Sequence, residues 1–398
     1  MRPPLPRNQS SMLPAPIGDA IKHTEACAVM LREEIANANG WLSFSRFMEL
    51  ALYAPGLGYY AAGARKFGAD GDFVTAPEIS SLFGQCLAQS IAEVLIETGG
   101  DVLELGPGSG KLAIDILLAL DAFGTRPEKY YLLEVSADLR DRQQQAIATL
   151  PVHLAQRAVW LEQLPLNFIG VVIANEVLDV IPAHLLTFSS DRIFERGVAV
   201  KGGAFAWQDV PTLPTQLLAP AAQIQNVYLN HAPPDGYLTE VAPSVGGLVK
   251  SLAQSVKRGA LIFIDYGFRG AEFYHPSRIA GTLMCHYRHY AHADPFLYPG
   301  LQDITAHVDF TSVADAGVAA GLDLLGYTTQ ANFLLASGLT DRLKQVDPRT
   351  TANYLSLTNQ VQRLVSPAEM GEFFKVIGFG KGLVSPILAF QTARPLPL

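Results

Sequence analysis

From residue 101 onward, short apolar runs alternate with stretches whose apolar positions recur at helical spacing. The runs at 101–105, 129–135, 168–174 and 260–265 predict strands. The stretches at 109–120, 137–150 and 244–257 predict helices. Near-continuous apolar strands belong to parallel sheets covered on both faces. Strand–helix alternation builds right-handed βαβ crossovers and a doubly wound sheet. The predicted fold is therefore α/β, a Rossmann-like, doubly wound and mostly parallel sheet. An N-terminal helical extension precedes it, and inserted lobes interrupt it.

Upstream, residues 20–52 carry apolar stripes of helical period, broken at Asn39-Gly40. Ser43 or Ser45 is placed to cap the second helix of this stretch. Residues 53–71 hold glycines at 56, 58, 63, 68 and 71, too many for a regular element. A long helix is expected at 79–97, stopped by Gly99-Gly100. Residues 185–207 suggest added antiparallel strands, 267–310 a long loop-rich insertion, and 384–390 a last strand. The expected domains are a disordered tail at 1–18, a helical and glycine-loop segment at 19–100 covering the active site, and a core at 101–398. The core carries insertions at about 185–240 and 267–310.

Composition narrows the class. The 398 residues are 49% hydrophobic and 17% charged, enough for a large core. Against 37 acidic residues stand 29 basic ones, a net charge of −8, which argues against a polyanion surface and so against a nucleic-acid partner. An acidic protein can still offer a pocket to a cation. Three scattered cysteines, Cys27, Cys86 and Cys285, do not make a disulfide framework, which points to a reducing compartment. No unbroken apolar stretch reaches the roughly 20 residues that span a bilayer. The first residues contain Arg2 and Arg7 and no acid, but prolines at 3, 4, 6, 14 and 16 oppose the amphipathic helix of a transit peptide. The expected location is cytoplasmic, with the mitochondrion as the alternative.

The sharpest motif is Leu103-Glu104-Leu105-Gly106-Pro107-Gly108-Ser109-Gly110, where a strand hands over to a helix. Glycines there permit a tight turn and let a ligand approach bare backbone. A P-loop would need a first glycine where Leu105 stands, and a Ser or Thr where Leu112 stands. A dinucleotide fingerprint would need its third glycine where Lys111 stands. What remains is acidic-x-Gly-x-Gly-x-Gly, which resembles motif I of class I methyltransferases. The second strand ends in Glu134, 24 residues beyond Gly110, where an acid can accept hydrogen bonds from both ribose hydroxyls.

Two acidic clusters follow. The third strong strand ends in Asn175-Glu176-Val177-Leu178-Asp179, and ligands of doubly wound sheets bind outside such strand ends. If Glu176 opens a helical turn, Glu176 and Asp179 share a face. Alternatively, Asn175 caps a helix and the acids favour its positive end. In the second cluster, 71–80, Thr75 or Ser80 could cap the long helix with Glu78 as a first-turn acid.

The run from Gly71-Asp72-Phe73-Val74-Thr75-Ala76-Pro77-Glu78-Ile79-Ser80 to Gly84 resembles the hallmark of the MidA family, as does Tyr53 to Tyr60 before it. Further matches are Leu103 to Gly110, Ala174 to Pro182, Asp265-Tyr266-Gly267 and Pro299 to Phe310. The resemblance runs in order from about residue 40 to the C-terminus. It implies a class I methyltransferase that uses S-adenosyl-L-methionine and releases S-adenosyl-L-homocysteine. Mitochondrial members of the family are protein arginine methyltransferases acting on a subunit of respiratory complex I. The resemblance thus implies a protein substrate, with a complex I subunit as one candidate.

On this reading Glu78 and Glu176 bind a guanidinium, helped by Asn175 and Asp179. Glu104, Gly106, Pro107, Gly108, Gly110 and Glu134 hold the cofactor, with Phe73 and Thr75 as lid contacts. Carboxylates can fix a guanidinium by bidentate bonds and take the released proton. Cys285, His286, His289 and His292 do not converge in a spacing typical of zinc, so no metal is assigned. Rival readings are methylation of another protein side chain or a small molecule, and a cofactor-binding assembly chaperone for a respiratory complex. No Asn-Pro-Pro-aromatic motif follows the third strand, which again disfavours a nucleic-acid substrate.

Overall fold

The computed structural model describes residues 13–61, 75–189, 192–345, 351–392, 395–396 and 398. Most of the expected N-terminal tail, residues 62–71 of the glycine loop, and Phe73 lie outside the described residues. The chain divides into two compact units.

One unit comprises Val74–Leu178, Gly246–Arg269 and Val308–Leu398. Its sheet contains β1 (Asp101–Leu105), β2 (Tyr130–Leu133), β3 (Ala158–Leu161), β4 (Phe168–Asn175), β5 (Val256–Phe268), β6 (Asp323–Thr329) and β7 (Phe374–Lys381). Their order is β6-β7-β5-β4-β1-β2-β3, with the short Val308–Asp309 strand joined to β5. Strands β3, β2, β1, β4 and β5 are mutually parallel, while β7 runs antiparallel to both β5 and β6. This is the expected doubly wound, mostly parallel sheet. The chain leaves β1 towards β2 on one side and returns to β4 on the other, so a topological switch point lies between β1 and β4.

Register aligns the strand ends. Leu105 pairs with both Leu133 and Ala174, and Ile264 pairs with Asn175. The residues that follow these positions, Gly106, Glu134, Asn175-Glu176 and Asp265, therefore emerge together at the carboxyl edge. Behind them the sheet buries Val102, Leu132, Val171, Ile173, Ala260 and Ile262 against Leu87 and Ile91 of the helix Ser81–Thr98 and Ile116 and Leu120 of the helix Lys111–Ala122. Each large side chain removed from water stabilises the fold by about 1.5–3 kcal/mol, so the edge rests on a stiff base. The helix Ser81–Thr98 starts where the Ser80 hydroxyl accepts from the Leu82 amide and stops at left-handed Gly99.

Two expectations need correction. The last strand is β7, and the stretch expected as strand at 384–390 instead leads into the helix Leu388–Thr392. The reason is packing: Phe390 lies over Gly378 of β7, where an added Cβ would sit 2.3 Å from its ring. The segment 267–310 is loop-rich as expected, and within it a small antiparallel sheet forms from Met284–Tyr287, Tyr290–His292 and Asp303–Thr305. No helix begins at Glu176. The chain there bends with Glu176 in left-handed backbone, φ 54°, and runs into a turn. The idea that Asn175 caps a helix, and the shared helical face for Glu176 and Asp179, both fall with it.

The other unit comprises Met1–Phe73, Asp179–Val245 and Gly270–His307. Its larger sheet is antiparallel, with Ile193–Lys201 flanked by Leu42–Ser43 and His184–Phe188, Tyr237–Val241 beyond, and Ala204–Val210 also on Ile193–Lys201. The helices Asp19–Asn37 and Phe44–Tyr53 pack with it, and Ser43 caps the second by accepting from the Arg46 amide. An aromatic cluster fills the core: Trp207 lies 4.6 Å from Phe296 and 5.3 Å from Phe44 between ring centres. Such pairs contribute about 0.5–1.5 kcal/mol beyond area burial.

Candidate active site

The glycine loop begins where β1 ends. Gly106 donates its amide to Leu133 O at 3.0 Å, and Gly110 donates to Pro107 O at 2.8 Å, closing the turn. Gly106, Gly108 and Gly110 have φ of 58°, 55° and 81°, the left-handed region in which a side chain is strained. A Cβ on Gly106 would stand 2.9 Å from Val177 Cγ2. The loop is thus bare backbone by necessity.

Glu134 is buried beside this loop. Its Oε1 accepts from the Ser136 amide at 2.8 Å and its Oε2 from Gln143 Nε2 at 3.0 Å. The same Gln143 nitrogen donates to Gly108 O at 2.9 Å, and Gln143 Oε1 accepts from Trp160 Nε1 at 2.9 Å. One fully buried amide therefore ties the acid at the end of β2 to the loop after β1. Glu104 is also buried, and it accepts the Tyr130 hydroxyl at 2.6 Å. Burial pushes its carboxyl up to about 7, with the Tyr130 hydrogen bond working in the opposite direction and the nearby Glu134 adding to the rise.

At the end of β4, Asn175 Nδ2 donates to Glu176 Oε1 at 3.1 Å. A carboxylate accepts and does not donate, so this bond fixes which way the amide faces. Asn175 Oδ1 is left buried without a hydrogen-bond partner among the described residues. The Glu176 amide donates to Ile264 O at 2.9 Å. The next two amides, of Val177 and Leu178, donate to Asp265 Oδ2 at 3.2 and 2.8 Å.

Glu78 sits on a separate short helix, Ala76–Ile79, and its Oε1 accepts the Ser109 hydroxyl of the glycine loop. The long helix that follows is capped by Ser80, not by Thr75, which stands before Ala76 and makes no side-chain cap bond. Glu78, Asn175, Glu176, Glu104, Gly106, Pro107, Gly108, Gly110, Glu134 and Thr75 all belong to the sheet-bearing unit. Asp179 belongs to the other, where it is buried and its backbone oxygen accepts the Ala306 amide at 2.9 Å. Phe73 lies outside the described residues.

Sequence reasoning missed Gln143, Trp160, the hydroxyl of Ser109 and the role of Asp265. Gln143 lies in the polar run 140–145, where nothing marks the one buried amide. Asp265 was visible only as part of a resemblance.

In the other unit, Cys285 pairs with His292 across a hairpin, while His286 pairs with Ala291. Among the described residues no group of three or more His, Cys, Asp or Glu could hold a metal. Burial, and then His292, push His286 down to about 4.

Residues 86–328 match the model of a family of S-adenosyl-L-methionine-dependent methyltransferases. The chain belongs to this methyltransferase family. A Burkholderia thailandensis protein crystallised with S-adenosyl-homocysteine is 48% identical, with a TM-score of 0.91 over 96% of this chain and 98% of that one. Among curated relatives, the mitochondrial protein arginine methyltransferase NDUFAF7 of Mus musculus is 29% identical, covering 85% of this chain and 80% of its own. The mitochondrial homolog from Drosophila melanogaster is 28% identical over 92% and 88%. The methyltransferase is thus of the MidA type, and its cofactor is S-adenosyl-L-methionine. The carboxyl edge fits that group on two observations: the left-handed glycine backbone at Gly106, Gly108 and Gly110, and the buried acid Glu134 beside it. No helix among the described residues is long and apolar enough to cross a membrane.

Proposed function

We propose that this methyltransferase transfers its methyl group to an arginine guanidinium of a protein. The observation that carries the reading is the pair at the end of β4. Asn175 gives its Nδ2 to Glu176, and among the described residues nothing donates to its buried Oδ1. A site that presents an amide oxygen beside a carboxylate selects a ligand rich in N–H donors. A guanidinium has five in a planar fork and cannot accept. A carboxylate substrate would leave both acceptors unpaired and a hydroxyl could pair with only one, each unpaired group costing about 1–3 kcal/mol. The names of the curated relatives support the same acceptor.

In this mechanism Glu176 and Glu78 bind and orient the guanidinium, and Asn175 accepts one of its N–H groups. When bound, the cofactor supplies a methyl carried on a sulfonium. Arginine has a pKa above about 12 and rarely offers a lone pair. A carboxylate oxygen therefore polarises the attacking nitrogen and receives its proton as the new N–C bond forms and the methyl–sulfur bond breaks, leaving a neutral thioether. Glu134 takes the ribose hydroxyls; Gly106, Pro107, Gly108 and Gly110 let the nucleoside approach bare backbone; Glu104 braces the loop from within. Thr75, at the start of the short helix that carries Glu78, is the lid contact.

A respiratory complex I subunit is the substrate candidate the family resemblance offers. The mitochondrial location in the relatives' names favours the organellar alternative over the cytoplasmic expectation. Fractionation of the native cell decides between them.

The test is methyl transfer from labelled S-adenosyl-L-methionine to the protein's own cell lysate, followed by amino-acid analysis of the labelled band. Methylarginine is expected, and Glu176→Gln should lower its formation by about 10²–10⁴-fold with unchanged cofactor affinity. Label on lysine or on a small molecule, or full activity in the variant, overturns the reading.

A further inference from the structure

Glu176 is an unusual residue for the backbone it occupies. Its φ of 54° lies in the left-handed region, where a non-glycine side chain costs about 1–2 kcal/mol. Glycine, asparagine or aspartate would be the economical choice. Strain of this kind persists only where the surroundings over-determine it. The surroundings here are specific. The Glu176 amide is held by Ile264 O, and the following two amides converge on one oxygen of Asp265. Asp265 is fully buried, and its other oxygen accepts the Tyr266 amide at 2.9 Å. A buried carboxylate with three backbone donors is a strong, charge-assisted anchor.

We propose that Asp265 is a positioning residue for the reaction: it clamps the 176–178 bend so that Asn175 and Glu176 face the methyl acceptor. This inference rests on the acceptor role given to Asn175 and Glu176. Asp265 acts through the backbone of β4's exit and not on the substrate. Register explains why the anchor sits on β5. Ile264 pairs with Asn175, so the next β5 residue stands beside the residues that leave β4. Asparagine at 265 would keep the size. It would also turn an N–H₂ group either on the amides of Val177 and Leu178 or on that of Tyr266, so two contacts or one become donor against donor.

Asp265→Asn, Glu176→Gln and the double variant, made in the full chain, test the inference by kcat, KM for the labelled protein substrate, and calorimetric Kd for S-adenosyl-L-homocysteine. A misplacement near 1 Å can cost about 100-fold in rate. Asp265→Asn should therefore lower kcat by roughly that factor, while the Kd for S-adenosyl-L-homocysteine moves less than about threefold. In the Glu176→Gln background the same change should cost little more, because residues acting as a unit are not additive. Unchanged kcat in Asp265→Asn, a parallel loss of cofactor binding, or full additivity in the double variant each overturn the inference. Full activity in Glu176→Gln would instead overturn the acceptor role of Glu176. If Asp265→Asn does not fold, Asp265→Glu serves. It keeps the charge but displaces it by one methylene, and should show the same kcat loss with cofactor binding retained. Wild-type kcat in that variant overturns the clamp.

Discussion

Replacing Glu104 by glutamine should make the protein more stable at alkaline pH and leave it nearly unchanged near pH 4.5. Glu104 is only 2% exposed, and burial pushes its carboxyl from the ordinary 4.5 up to about 7. In the unfolded chain the group ionises above 4.5. In the folded chain it keeps its proton until about 7, so between these values the folded state binds more protons and stability falls as pH rises. At about 1.4 kcal/mol per pH unit, the full loss above pH 7 is about 3 kcal/mol. Glutamine cannot ionise, yet its oxygen can still accept the Tyr130 hydroxyl that Glu104 accepts at 2.6 Å. Urea unfolding of both proteins at pH 5 and pH 8 measures the difference. The advantage of Glu104→Gln should grow by about 2–3 kcal/mol across that interval. Parallel pH dependences in the two proteins would show that Glu104 titrates normally, and would refute the view that the first acid of the motif is held neutral inside the fold.

Gly106→Ala places a Cβ in left-handed backbone and 2.9 Å from Val177 Cγ2. It should weaken S-adenosyl-L-homocysteine binding by at least about tenfold, from strain of about 1–2 kcal/mol plus the clash, as read by calorimetry. Gln143→Leu removes the amide shared by Gly108, Glu134 and Trp160. Buried groups left unpaired cost about 1–3 kcal/mol each, so both cofactor affinity and the urea midpoint should drop. A variant that binds as tightly as wild type would show that this network does not shape the loop.

The strands and helices around β1, β2, β4 and β5 were legible because their apolar runs are unbroken and their helices periodic. β7 was not. Its sequence, Phe374-Lys375-Val376-Ile377-Gly378-Phe379-Gly380-Lys381, carries two glycines that weaken a strand signal. Those glycines make room for side chains from distant elements, Phe390 over Gly378 and Leu325 against Gly380. A tertiary requirement hid the strand, and the apolar run that supplies Phe390 was taken for it. The helix Leu388–Thr392 is too short to show a helical period. At the site, motif spacing located the glycine loop, Glu134 and the Asn175-Glu176 pair. It could not show the left-handed turn at Glu176. That conformation belongs to no residue preference and depends on Asp265, 89 positions away in sequence.

Two hydrogen-bonded frames support the site. One is centred on Gln143 and joins Gly108, Glu134 and Trp160. The other is centred on Asp265 and joins Val177, Leu178 and Tyr266. Sites supported separately should respond additively to substitution, whereas sites that share a frame should not. Changes at Gln143 should therefore act on cofactor affinity and changes at Asp265 on turnover, with little crosstalk. The frames approach each other where Gly106 faces Val177, at the distance that leaves no room for a methyl group. A side chain at Gly106 would push on the turn that carries Glu176 as well as on the loop. Of the substitutions considered, Gly106→Ala is the one that should damage Kd and kcat together.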